Sequence, residues 1–144
     1  MLKIIQFFRS FTFNKSSNMD WINLNSVEQL AEINEKSNDK TQIIFKHSTR
    51  CTVSIFAKRI LVDEYTDEIK KNADVYYLDL IAFREVSNKI AGYYGVTHES
   101  PQILAINNGE CTFTASHSDV SFKSVLLLKQ ISFKYFKVLT WLIE

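Results

Sequence analysis

The chain has 144 residues, 46% hydrophobic and 23% charged, with a formal net charge of +1. That length fits one domain with a sizeable core, and the near-neutral balance excludes bulk electrostatic binding of nucleic acid. Two cysteines cannot build a disulfide framework, and no run of about 18 apolar residues offers a membrane span. The opening "MLKIIQFFRSF" is interrupted by Lys3, Gln6 and Arg9, and no small-residue cleavage site follows, so no secretory signal is expected. A reducing cytoplasm is the expected compartment.

Residues 1–13 form a cationic amphipathic stretch and "NKSSN" (14–18) reads as a linker. The stretch reads either as a helix docked on the domain or as a peripheral membrane contact. The domain is expected over 19–124. Ser26, followed three residues later by Gln29, is a capping-box signature for a first helix with Val27, Leu30 and Ala31 on its buried face. "TQIIFK" (41–46) predicts a strand. Val53, Phe56, Ala57, Ile60 and Leu61 follow the i, i+3, i+4, i+7, i+8 series of an amphipathic helix buried on that face.

"ADVYYLDL" (73–80) predicts a second strand, and "FREVSNKIAGYYG" (83–95) a helix stopped by Gly95. "QILAIN" and "CTFTA" flank an Asn108-Gly109 turn and predict a hairpin. A last helix is expected from about Ser118. Its extension, 125–144, carries a polar stripe of Lys123, Gln130, Lys134, Lys137, Thr140 and Glu144, which predicts a wide buried face. That face would pack on the sheet, on the N-terminal stretch, or on a second chain as a dimer.

From residue 41 the order is strand, helix, strand, helix, strand, strand, helix. The first two strands should be parallel with a right-handed crossover, and the hairpin antiparallel. Helices then cover both faces of a four-stranded mixed sheet. This is an α/β, three-layer, thioredoxin-like fold.

In that arrangement Cys51 lies in the loop leaving the first core strand, at the N-terminus of a helix. Free backbone N–H groups and the positive end of the helix dipole favour thiolate, the nucleophilic form. Arg50, Lys46 and His47 would add positive charge. The bland alternative is an inert buried cysteine acting as a small hydrophobe. The site after a strand and before an amphipathic helix favours the reactive reading. Ser54 stands where a Cys-x-x-Cys pair would have its second thiol, so Cys51 would hold a mixed disulfide instead of an internal one. The Ser54 hydroxyl is expected to approach the sulfur, or to be a plain early-helix serine. Cys111, just past the hairpin turn, is expected on the order of 15 Å from Cys51, from about 3.3 Å per strand residue. The returning strand delivers Ser116 and His117 to the active-site end. His117 would supply charge or a proton there, or be a solvated loop histidine, and the same holds for His98. Thioredoxin-like proteins carry a cis-proline beside the active cysteine, which would be Pro101, with the Ser100 backbone before it pairing with substrate.

"IFKHSTRCTVS", "YYLDL", "FREVSNKIA", "YGVTHESPQ" and "ASHSDVS", in that order over about residues 20–125, resemble the bacillithiol-system redox-active (YtxJ-like) family of monothiol bacilliredoxins. The resemblance implies removal of bacillithiol, or a similar small thiol, from S-thiolated client proteins through a mixed disulfide on Cys51, in a bacterial cytoplasm. It implies Cys51 as the catalytic residue, Ser54 as its Cys-x-x-Ser serine and Pro101 as the cis-proline, and the residues themselves add Arg50, Thr52, Lys46 and His117 as expected support. Ser100, Pro101 and Thr49 are the residues expected, on this reading of the chain, to bind substrate. No bound cofactor and no metal are implied, and the small thiol acts as co-substrate. The residues by themselves leave two other readings open: a thioredoxin-fold adaptor or stress protein that binds partners without turnover, and a reductase using glutathione or another small thiol. The two terminal segments extend beyond the family pattern.

Overall fold

The computed structural model describes residues 18–143. The expectation for residues 1–17, and the stripe positions Gln130, Lys134 and Glu144, lie outside the residues or side chains described. The elements are β1 (Trp21–Asn23), α1 (Gln29–Lys36), β2 (Thr41–His47), α2 (Thr52–Glu64), α3 (Asp67–Asn72), β3 (Ala73–Asp79), α4 (Arg84–Tyr94), β4 (Gln102–Asn107), β5 (Glu110–Ser116) and α5 (Phe122–Ile143). A 3₁₀ turn, His117–Asp119, joins β5 to α5.

The sheet has the order β1-β3-β2-β4-β5. β2 runs parallel to β3 and β4 antiparallel to β5, as expected from the crossover and the hairpin, and β2 also pairs with β4, antiparallel. The sheet has five strands where four were expected, because β1 pairs in parallel with β3 through Trp21, Ile22 and Asn23. A three-residue edge strand is too short to show a period-2 pattern.

Successive side chains of β2 leave the sheet on opposite faces. Ile43 and Phe45 join Ala57 and Leu61 of α2, and Phe122 and Val125 of α5, in one core. Ile44 joins Leu30 and Ile33 of α1, and Val86 and Ile90 of α4, in the other. This two-sided burial explains why every residue of β2 is buried.

Local chemistry sets several element ends. The Gln29 side chain accepts from the backbone N–H groups of Asn25 (2.8 Å) and Ser26 (3.0 Å), which is the backward half of the predicted capping box. The helix itself starts at Gln29 and buries Leu30 and Ile33, while the expected Ala31 is exposed. Gly95 ends α4 in the left-handed region at φ +64, as its glycine predicted. α3 was not expected, since "DEIKKN" carries one apolar residue; Thr66 caps it by accepting from Ile69 N.

Two expectations about helix faces change. On α2 the buried stripe is Ser54, Ala57 and Leu61, whereas Val53, Phe56 and Ile60 are 46%, 58% and 40% exposed. The apolar series was wider than the strip that meets the sheet, and its centre lies at Ser54. On α5, Phe122 and Val125 are buried, but Leu127, Tyr135, Val138, Leu139, Trp141 and Leu142 are all exposed. The wide buried face expected for 125–144 is therefore absent among the side chains described. Among the described residues no helix is long and apolar enough to cross a membrane.

Candidate active site

β2 ends at His47, and the chain turns back on itself, with Cys51 N donating to Ser48 O at 3.3 Å. Cys51 then stands at the N-cap of α2 with extended backbone (φ −112, ψ 121) and no side-chain capping bond. Its own carbonyl accepts from Ile55 N at 3.1 Å, so the helix starts directly behind the thiol. The first turn contains no acidic residue. Nothing negative there competes with a thiolate for the positive helix end. Cys51 is half-buried, and Thr49, Arg50 and Thr52 around it are exposed.

Ser54 departs from expectation. It is fully buried, and its hydroxyl points inward. Oγ accepts from Ser48 N (2.9 Å) and is hydrogen-bonded to His47 Nδ1 at 2.8 Å. One serine thus ties the end of β2, the active-site turn and the first turn of α2 together. His47 packs against Phe45 and Tyr77. Burial pushes its pKa down, with the Lys58 ammonium adding to the effect, and the Ser54 bond and Asp79 only partly offset this. Its lowered pKa favours the neutral ring at pH 7. His47 was expected as a positive charge for the cysteine; its place is under the loop, bonded to Ser54, with the neutral form favoured.

Lys46 departs further. It neighbours His47 on the strand, so its side chain leaves by the opposite face, away from α2 and Cys51. It is fully buried, and Nζ lies 2.6 Å from His98 Nδ1. Ser87 Oγ of α4 lies 3.3 Å from the same nitrogen. Burial pushes the Lys46 pKa down to about 8, with Glu99 partly offsetting it. Lys46 does not support the thiol through its charge, because the sheet stands between them. The alternation of the strand carried this signal.

The cis bond expected at Ser100–Pro101 is present. The segment before it is tied to Gln102: Gln102 Nε2 donates to Thr97 O (2.9 Å), and Glu99 N donates to Gln102 Oε1 (3.3 Å). The Ser100 hydroxyl is buried without a hydrogen-bond partner. β5 returns to this end as expected, and His117 N donates to Pro101 O at 3.0 Å. The His117 ring lies 3.6 Å from Glu99 Oε2 and is exposed, so the structure puts it at the right end of the sheet, in contact with Glu99.

Cys111 belongs to the other end and the other face. It pairs with Ile106, which pairs with Gln42 at the start of β2, and it packs on the α1/α4 core. Its thiol donates to Phe113 O at 3.2 Å, and burial pushes its pKa up. Residues that sequence reading left without a partner, Ser87 and Gln102, are joined to the site region only by this fold.

Comparison with known proteins agrees with this geometry. A candidate oxidoreductase with a thioredoxin fold matches with a TM-score of 0.65 and 29% identity, over 76% of this chain and 93% of that one. The thioredoxin of Malassezia sympodialis matches with a TM-score of 0.62 at 14% identity, over 77% of this chain and 90% of its own. The reduced Schistosoma mansoni thioredoxin pre-protein matches with a TM-score of 0.54 at 18% identity, over 77% and 98%. The last two show the fold alone, and the first supports a redox role. The family described as monothiol bacilliredoxin BrxC matches residues 22–125, which contain every element of the sheet but the first residue of β1, together with the whole of the site. The protein has a thioredoxin-like fold and belongs to the monothiol bacilliredoxin family.

Proposed function

We propose that the protein is a monothiol thiol-disulfide oxidoreductase that removes bacillithiol, or a similar small thiol, from S-thiolated client proteins. The observation that carries this reading is the placement of Cys51. It occupies an uncapped helix N-terminus, partly open to solvent, and the residue three further on is a serine turned into the protein. Such a thiol can attack an outside disulfide but has no neighbouring thiol to release it.

In the first step the Cys51 thiolate attacks the small-thiol sulfur of the client's mixed disulfide. A Cys51–small-thiol disulfide forms, the client disulfide breaks, and the client leaves as thiolate. In the second step a second small-thiol molecule, as thiolate, attacks the adduct. It leaves as the small-thiol disulfide, and Cys51 returns to thiolate. Two thiolates enter, two leave, and no other oxidant or reductant is needed. Thr49 of the exposed turn and the Ser100 backbone beside Pro101 line the approach to the sulfur in this reading.

The test is removal of the small thiol from an S-thiolated client in the presence of added small thiol, read as the client thiol set free. Wild type should free the client thiol catalytically, and Cys51→Ala should abolish this. Mass spectrometry of the protein from its host should find the small thiol on Cys51, and the added mass would name it. An unmodified Cys51, together with no de-thiolation by the wild type, would leave the adaptor reading standing instead.

A further inference from the structure

The buried face behind the active site holds a cation that the reaction above does not use. Lys46 is fully buried, and its ammonium contacts His98 Nδ1 at 2.6 Å. An ammonium only donates, so His98 must be neutral and accept at Nδ1. His98 itself is exposed and belongs to the segment between α4 and Pro101. One partner is thus anchored in the central strand that leads into the Cys51 turn. The other is carried by the loop that ends at Pro101.

The same loop is held at two other atoms by Gln102, through Thr97 O and Glu99 N. Gln102 pairs with Lys46 in the β2–β4 register. All three attachments therefore radiate from one rung of the sheet. Yet the loop leaves the Ser100 hydroxyl buried and unbonded, which is unfavourable. Its position is not the one its own polar groups would choose. A buried ammonium with few alternatives is strong enough to hold it there, since an unpaired buried charge is costlier than an unpaired hydroxyl.

The geometry points to Lys46 as a positioning residue for substrate: through His98 it sets where the Ser100–Pro101 segment lies relative to Cys51. This rests on the oxidoreductase reading, and it replaces the expected electrostatic role of Lys46 at the thiol. Burying an ammonium disfavours the folded state, and the lowered Lys46 pKa agrees with that cost. A residue kept for packing alone would be apolar here. The pair therefore separates stability from substrate binding.

The test uses the full chain with Lys46→Met, His98→Leu and His98→Asn, the last keeping an acceptor where Nδ1 stood. Lys46→Met and His98→Leu should each raise KM for an S-thiolated client by about tenfold with kcat within about twofold, and His98→Asn should recover most of the loss. The Tm of Lys46→Met should be unchanged or higher, while that of His98→Leu should fall because the ammonium is stranded. Combining Lys46→Met with His98→Leu should restore Tm but not KM. Alkylation of Cys51 should proceed at the wild-type rate in all variants. Amide exchange at His98, Glu99 and Ser100 should speed up in Lys46→Met, a readout independent of turnover. Wild-type protein without de-thiolating activity would refute the functional reading, while faster exchange would still support the latch. Unchanged KM and unchanged exchange in Lys46→Met would overturn the proposal. So would slowed alkylation of Cys51 in that variant, which would return Lys46 to the thiol.

Discussion

Lys46 and His47 are adjacent cationic residue types, and the sequence alone assigned both to the cysteine. The pleat sends them to opposite faces, where each becomes part of a different device. His47 holds the active-site turn through its hydrogen bond with Ser54. Removing that hydroxyl should strand Ser48 N–H in a buried place, so Ser54→Ala should cost about 1–2 kcal/mol in urea unfolding. Ser54→Cys should be less harmful, because a thiol is still a weak donor and acceptor. The pH dependence follows from direction alone. The His47 pKa is lowered on folding from an ordinary value of 6.5, so below that value the unfolded chain binds more protons than the native one. Stability then rises with pH through this window and is lost as pH falls below about 6.5. His98 is lowered as well and contributes in the same sense. Unfolding curves between pH 7.5 and 5.5 should show the loss, and His47→Gln should flatten it. A wild-type protein equally stable at both ends would contradict the buried neutral histidine.

At the scale of elements, the join between α2 and α5 depends on a single carboxylate. Glu64, at the end of α2, accepts from Phe122 N (2.7 Å) and from Ser121 Oγ (2.9 Å). It thereby caps the N-terminus of α5, where a negative charge also meets the positive helix end. Phe122 and Val125 can then reach the core beside Tyr65 and Ala57. Glu64→Ala should lower stability by about 1–3 kcal/mol, because the bonds are charge-assisted and half-buried. Circular dichroism should show loss of helix starting in α5, and an unchanged unfolding midpoint would reject this account. The sequence offered no sign of the contact, since its partners are 57 and 58 residues apart. Elements with strong local signals were legible: β2, β3, the Asn108-Gly109 hairpin and the Gly95 stop. What was lost was rotational. The α2 series showed that the helix is amphipathic but not which part of a broad apolar arc meets Ile43 and Phe45. β1 and α3 were invisible because three residues, or six mostly charged ones, carry no periodicity.

Across the whole molecule, the sheet keeps the two thiols apart. From Gln42, the rung shared through Ile106 with Cys111, to His47 is five residues, or ~17 Å at about 3.3 Å each. Cys51 lies beyond that end, on the α2 side, while Cys111 packs on the α1/α4 side. The separation was legible from the hairpin turn; the opposite faces were not, because they depend on the irregular register between Ala105 and Ile106. A disulfide needs Cα atoms within about 7 Å, so no bond between these cysteines can form without unfolding the sheet. Cys111 is also a poor nucleophile, since burial raises its pKa and its thiol is bonded to Phe113 O. Cys111→Ala should therefore keep de-thiolation within about twofold of wild type. Its cost should appear in stability, at roughly 1 kcal/mol for trimming a half-buried side chain. Oxidising the purified chain should give dimers or small-thiol adducts through Cys51, and no monomer lighter by two hydrogen atoms. Such a monomer, with activity lost in Cys111→Ala as fully as in Cys51→Ala, would mean that the thiols meet during the cycle and that resolution is intramolecular.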